Sequence, residues 1–161
     1  MDWRRRIPVF AAALWWGSLC TLGFIVVPLL FVHLPTPALA GQTAARLFTA
    51  QTWVSLACGV LVLLGSRPRD ESPRLDWADG ALAFVLAGML LALLAEFAVA
   101  PRIVARDNLR LWHAVGSAMY ALQWLCALVV LWKLTGASAA GHSGEGREPP
   151  AEHRPIPGGP S

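Results

Sequence analysis

IPVFAAALWWGSLCTLGFIVVPLLFV (Ile7–Val32) carries no charged side chain, and Ser18 and Thr21 are its only hydroxyls. At ~1.5 Å per residue a helix of this length reaches roughly 39 Å, more than the ~30 Å hydrocarbon core of a bilayer. Lipid is the natural solvent for such a stretch. A lone segment must be helical there, because only a helix satisfies its own amides and carbonyls. The surplus length predicts a tilt, or a bend at Pro28, where the missing N–H weakens the helix.

Three further apolar runs follow, at about Ala44–Gly65, Ala78–Ala100 and Leu111–Leu134. Each is long enough to cross a bilayer. The predicted fold is therefore all-α. It is a four-helix transmembrane bundle with helices at about 7–32, 44–65, 78–100 and 111–134, together forming a domain over residues 1–136. Composition agrees: 14% of residues are charged and 56% hydrophobic, where a soluble domain carries about 25% charged. No repeat relating the two halves is evident along the chain.

A cleaved signal peptide is the rival reading of the first run, given Arg4, Arg5 and Arg6 before it and Ala38-Leu39-Ala40 after it. Signal-peptide cores run to about 7–15 apolar residues, and this one is nearly twice as long. An uncleaved span is expected.

Orientation follows from the basic residues near the span ends. Arg4–Arg6, Arg67, Arg69, Arg74 and Lys133 fall on one side, joined by Arg147 and Arg154 of the tail, against Arg46, Arg102, Arg106 and Arg110 on the other. The excess places both termini in the cytoplasm. Trp3, Trp77, Trp112 and Trp132 sit near predicted interfaces, where indoles settle with one edge wet. The basic residues mark membrane surfaces rather than a nucleic-acid face, so no nucleic acid is expected as a partner.

Residues 137–161 are rich in Gly, Pro and Ser without apolar periodicity, and read as a disordered cytoplasmic tail. Ser66–Trp77 reads as a short polar connector broken by Pro68 and Pro73. His142 and His153, far apart in the tail, do not make a metal site, and neither metal nor cofactor is expected. Cys20, Cys58 and Cys126 each lie deep in an apolar run and read as small hydrophobes.

Helices in lipid associate through close backbone approach and shared hydrogen bonds. Gly88, Ala92, Glu96 and Ala100 recur every four residues along the third run and predict a helix-facing seam. Ser55 with Gly59, and Ala114 with Ala118, are further small-residue pairs. Glu96 is the acidic residue well inside a span. Such a group is expected to face the bundle interior and find a partner. On the predicted topology Arg46, Arg102, His33 and His113 lie at similar depth, so Arg46 or His113 is the expected partner of Glu96. His113, Gly116, Tyr120 and Gln123 share one face of the fourth helix and predict a polar stripe leading inward.

Three roles compete for this cluster: a structural clamp, a small polar cavity for a solute, ion or proton, and a haem held between His33 and His113. Ser18, Ser55 and Ser117 have no accompanying base, so catalysis is not expected. The expected function is that of a non-enzymatic membrane protein with a structural, accessory or partner-binding role. The alternative is a small transporter or solute-binding module built on Glu96 and His113. Expected partners are the lipid bilayer and a homo-oligomer or another membrane protein.

Two stretches, LWWGSLCTLGFIVVPLLFVHLPTPALAGQTAARLF (Leu14–Phe48) and FAVAPRIVARDNLRLWHAVGSAMYALQWL (Phe97–Leu125), carry a resemblance. Through Trp16, Gly17, Pro28, Leu30, Phe31, Ala40, Gly41, Phe48, Pro101, Arg102, Ile103, Arg106 and His113 the chain resembles the family called domain of unknown function 4149. That family includes the eukaryotic transmembrane protein 205 and bacterial inner-membrane proteins. Gly116 and Tyr120 stand where members often carry a small polar residue and an asparagine. The resemblance covers about residues 10–134. It implies a four-helix membrane protein and adds no reaction; together with the Arg-, Ala- and Leu-rich, Lys-poor composition it points to a bacterial cytoplasmic membrane.

Overall fold

The structure is a computed structural model that describes the backbone of residues 3–65, 75–105 and 108–143, and the side chains within 6–65, 80–105 and 108–136. All the regular structure in these residues is helical. Four helices are long and apolar enough to cross a membrane: Arg6–His33, Pro37–Gly65, Gly80–Val104 and Leu109–Gly136.

The first and third of these spans are interrupted at matching places. The first consists of α1 (Trp3–Cys20), a π-helical turn over Thr21–Val26, and α2 (Val27–His33). The second is one continuous helix, α3 (Pro37–Gly65). The third consists of α4 (Leu75–Leu94), a π turn over Ala95–Val99, and α5 (Ala100–Val104). The fourth is α6 (Leu109–Ser143).

Each π turn precedes a proline, Pro28 or Pro101. A proline has no N–H for the carbonyl four residues back, here Phe24 or Phe97, and its ring crowds that carbonyl. Widening the helix to i→i+5 bonding relieves the crowding, and the N–H groups of Val27 and Ala100 accordingly reach Leu22 and Ala95. The bend expected at Pro28 is thus a π turn just before it.

The ends of the spans follow local rules. Thr36 caps α3: its hydroxyl accepts from the Leu39 N–H at 3.2 Å, with Pro37 behind it at the first helical position. That start lies earlier than the Ala44 expected, and Ala38-Leu39-Ala40 forms part of the first turns of α3. Asn108 turns the chain into α6 in the left-handed region (φ 37°), which asparagine tolerates better than most residues. The last helix runs past Leu134 to Ser143, so residues 137–143, expected in a tail, are helical. Ala137, Ala139 and Ala140 are strong helix formers, and they extend a helix already nucleated in the span. The connector at 66–74 and the tail at 144–161 lie outside the described residues.

The bundle is a ring in which each span packs on two neighbours: α1 on α3 and α6, and α4 on the same two. Its core is narrow and built of Ala12, Trp15, Leu19, Val85, Ala127 and Val130. Phe10, Phe24, Val32, Phe97, Val104 and Trp132 are each more than half exposed. A soluble monomer does not leave so much apolar surface to water; here lipid covers it.

Close approach decides two glycines. A Cβ on Gly88 would lie 2.8 Å from the Trp15 ring, and one on Gly59 would lie 2.6 Å from the Met89 sulfur. Both sit in expected small-residue pairs or seams. Within the third-span seam Gly88 and Ala92 are buried and Glu96 and Ala100 half-buried. Ala114 and Ala118 are exposed among the described residues.

Candidate functional site

The polar side chains that meet inside the bundle form a layer deeper than the expected outer cluster. Its centre is Ser55, fully buried on α3. The Ser55 hydroxyl donates to the Gln51 carbonyl at 2.9 Å and so is left an acceptor. It accepts from the Gln123 amide at 2.9 Å, across from α6, and from the Gln51 amide at 3.4 Å. Ser18 repeats the pattern on α1: its hydroxyl donates to the Trp15 carbonyl at 2.9 Å and accepts from the Gln51 amide at 2.9 Å. Three spans are thereby tied by neutral groups. Because both serine protons are committed to carbonyls, both glutamines must turn Nε2 toward the serines.

A second tie lies one turn outward. The Tyr120 hydroxyl donates to the Leu19 carbonyl at 2.8 Å, and its ring packs edge-on against Phe48 at 5.4 Å. The ring edge fills the place a Cβ on Gly23 would take, 2.8 Å away. The first π turn therefore requires glycine there. Trp124 donates to the Cys20 sulfur at 3.0 Å and stacks at a tilt on Trp16. Cys20 thus serves as an acceptor as well as a small apolar group. Cys20, Cys58 and Cys126 are all free thiols.

Glu96 is half-buried in the second π turn. Its partner is Thr49 of α3, whose hydroxyl donates to the carboxylate at 2.8 Å, with the Ala45 carbonyl farther off at 3.3 Å. This corrects the expected pairing. Among the described residues neither Arg46 nor His113 forms an ion pair with Glu96, and both side chains are exposed. Arg102 instead sets its guanidinium carbon over the Trp112 ring, 4.3 Å from the ring centre, near the C-terminal end of the third span. His33 is exposed and bonded to its own helix at the Leu29 carbonyl. Charged groups at a helix end reach water along flexible stems, and hydration there outcompetes an ion pair that must be desolvated.

The expected stripe on the fourth span is graded. Gln123 is buried, Tyr120 and Gly116 are half-buried, and His113 is exposed. The family-resemblance positions divide similarly. Trp16, Gly17, Gly41 and Phe48 are half-buried, Pro28, Phe31 and Pro101 are exposed, and Arg106 lies outside the described residues. Thr49 and Gln51 carry two of the interhelical bonds and were not singled out by sequence reasoning. Neutral polar residues disturb an apolar run too little to stand out from it.

A family model described as "Domain of unknown function (DUF4149)" matches residues 10–111. No curated protein and no solved structure matches the chain.

Proposed function

The chain belongs to the DUF4149 family, and from that premise we propose that it is a non-enzymatic protein of a bacterial inner membrane, with a structural, accessory or partner-binding role. Both termini face the cytoplasm in this reading, as the distribution of basic residues indicates. The observation that carries it is the Ser18–Gln51–Ser55–Gln123 layer. There the buried polar groups bond one span to another and the serine protons are held by carbonyls, so they serve cohesion rather than chemistry. The test compares membrane accumulation and thermal midpoint for Gln123→Leu and Glu96→Gln. Loss in the first and little change in the second supports the clamp; the reverse contradicts it.

A second reading, a small ion- or solute-binding module, is favoured by one observation. The Glu96 carboxylate sits in a π turn, a feature frequent at functional sites, held by a single hydroxyl rather than by a cation. In this reading the full chain in liposomes carries a proton or sodium current that Glu96→Gln abolishes with the thermal midpoint unchanged. A native chain that carries neither current ends it.

A further inference from the structure

The two interrupted spans share a motif at the same place. GFIVVP (Gly23–Pro28) and EFAVAP (Glu96–Pro101) share Phe-x-Val-x-Pro, and both π turns end on the valine of that motif, Val26 and Val99. The returning helices share aromatic-x-x-Gln: Phe48 to Gln51 and Tyr120 to Gln123. One constant offset relates the rising spans, and an offset shorter by a single residue relates the returning ones.

Burial obeys the same registers. Ala12 and Val85, Trp15 and Gly88, and Leu19 and Ala92 are buried pairs on the rising spans. Ser55 and Ala127, Cys58 and Val130, and Val62 and Leu134 are buried pairs on the returning ones. At the lipid face Phe24 and Phe97 are 68% and 66% exposed.

The spatial arrangement is that of a two-fold. Exchanging the first span with the third and the second with the fourth leaves the ring of packed neighbours unchanged. Residues that an axis would exchange meet each other across the centre. Trp15 packs on Gly88, Phe48 packs on Tyr120, and Gln51 and Gln123 share the Ser55 hydroxyl. Coincident motifs alone arise by chance in apolar sequence; coincident motifs, helix breaks and self-equivalent contacts on one axis do not.

We infer that the protein is two copies of one helical hairpin packed about a two-fold axis parallel to the spans, and that the copies have diverged at the π turn. At the π turn of the first copy there is a lock: Gly23 makes room for the ring of Tyr120 from the second copy, whose hydroxyl seals the Leu19 carbonyl. At the π turn of the second copy Glu96 stands in the place of Gly23, and Phe48 of the first copy, which has no hydroxyl, stands in the place of Tyr120. Thr49 holds the carboxylate instead. Parallel repeats of this kind build membrane proteins whose centres of action lie between the copies. The specialised copy here is the second. The duplication stands independently of the role given to Glu96.

Paired spin labels on the full-length chain test it, with Cys20, Cys58 and Cys126 replaced by alanine. The Phe24–Leu125 and Phe97–Trp53 distances, between exposed positions on packed spans, are expected to coincide within the width of their distributions. Distances that differ by more overturn the duplication. A second arm tests the divergence. Phe48→Tyr is expected to raise the thermal midpoint when combined with Glu96→Gly, which opens the space Gly23 leaves in the first copy. It is expected not to do so beside native Glu96, whose Cβ holds the ring away. A gain that does not depend on residue 96, or no gain in either background, overturns the assignment of lock and carboxylate.

Discussion

The middle of the bundle and its outer rim handle polarity in opposite ways. In the middle, amides and hydroxyls from three spans close on one another at hydrogen-bond distance, with Gln51, Ser55 and Gln123 buried and Ser18 half-buried. At the rim, Arg46, Arg102 and His113 stay exposed, and the Glu96 carboxylate bonds to a neutral threonine. Desolvation explains the contrast. A neutral amide loses little when it exchanges water for a serine hydroxyl, whereas an ion pair must strip two hydration shells for a gain that a wet interface does not return. Cohesion in this bundle comes from its uncharged polar residues.

The largest effect that would sharpen this contrast is expected from Ser55→Val. It removes the acceptor shared by two buried glutamines and leaves the Gln123 N–H without its partner, while Gln51 keeps its bond to Ser18. The expected loss is about 2–4 kcal/mol, measured by reversible unfolding in mixed micelles. A loss below about 1 kcal/mol would mean that the layer is ornament to the apolar packing around it.

Next in size is Gly23→Ala. Its methyl group enters the space of the Tyr120 ring, so about 1–3 kcal/mol is expected from overpacking. Tyr120→Phe should relieve none of that strain. In the native background it loses the bond to Leu19, at about 1 kcal/mol. If Gly23→Ala costs nothing in a thermal melt, the close approach of these two spans is wrong.

How much of this could be read in the sequence divides along the same line. The four spans were legible because apolar runs of that length have no other solvent. Tyr120 and Gln123 were legible because they share a face with His113. Thr49 and Gln51 were not, since a threonine or glutamine in an apolar run carries no charge to mark it. The Glu96–Arg46 and Glu96–His113 pairings failed for a different reason. Equal depth along the membrane normal says nothing about which way a side chain turns, and long basic side chains turn outward to water. The hairpin repeat was hidden because little more than a Phe-x-Val-x-Pro on one helix and an aromatic-x-x-Gln on the next recurs, one residue out of step between the halves, with the other residues free to differ.

Helix capping gives a smaller effect. Thr36→Ala removes the side-chain acceptor of the Leu39 N–H, and about 1 kcal/mol is expected in the same unfolding assay. Smallest of all are Arg46→Gln and His113→Gln at the rim, each expected within about 0.5 kcal/mol of the native chain. A rim substitution that cost as much as Ser55→Val would erase the distinction between the two regions.

A pair of double-mutant cycles in the same unfolding assay tests the central claim most directly, one coupling Ser55→Ala with Gln123→Leu and the other coupling Glu96→Gln with His113→Gln. The core pair is expected to show a coupling of about 0.6–1.7 kcal/mol and the rim pair none beyond error. A coupled rim and an uncoupled core would contradict the account.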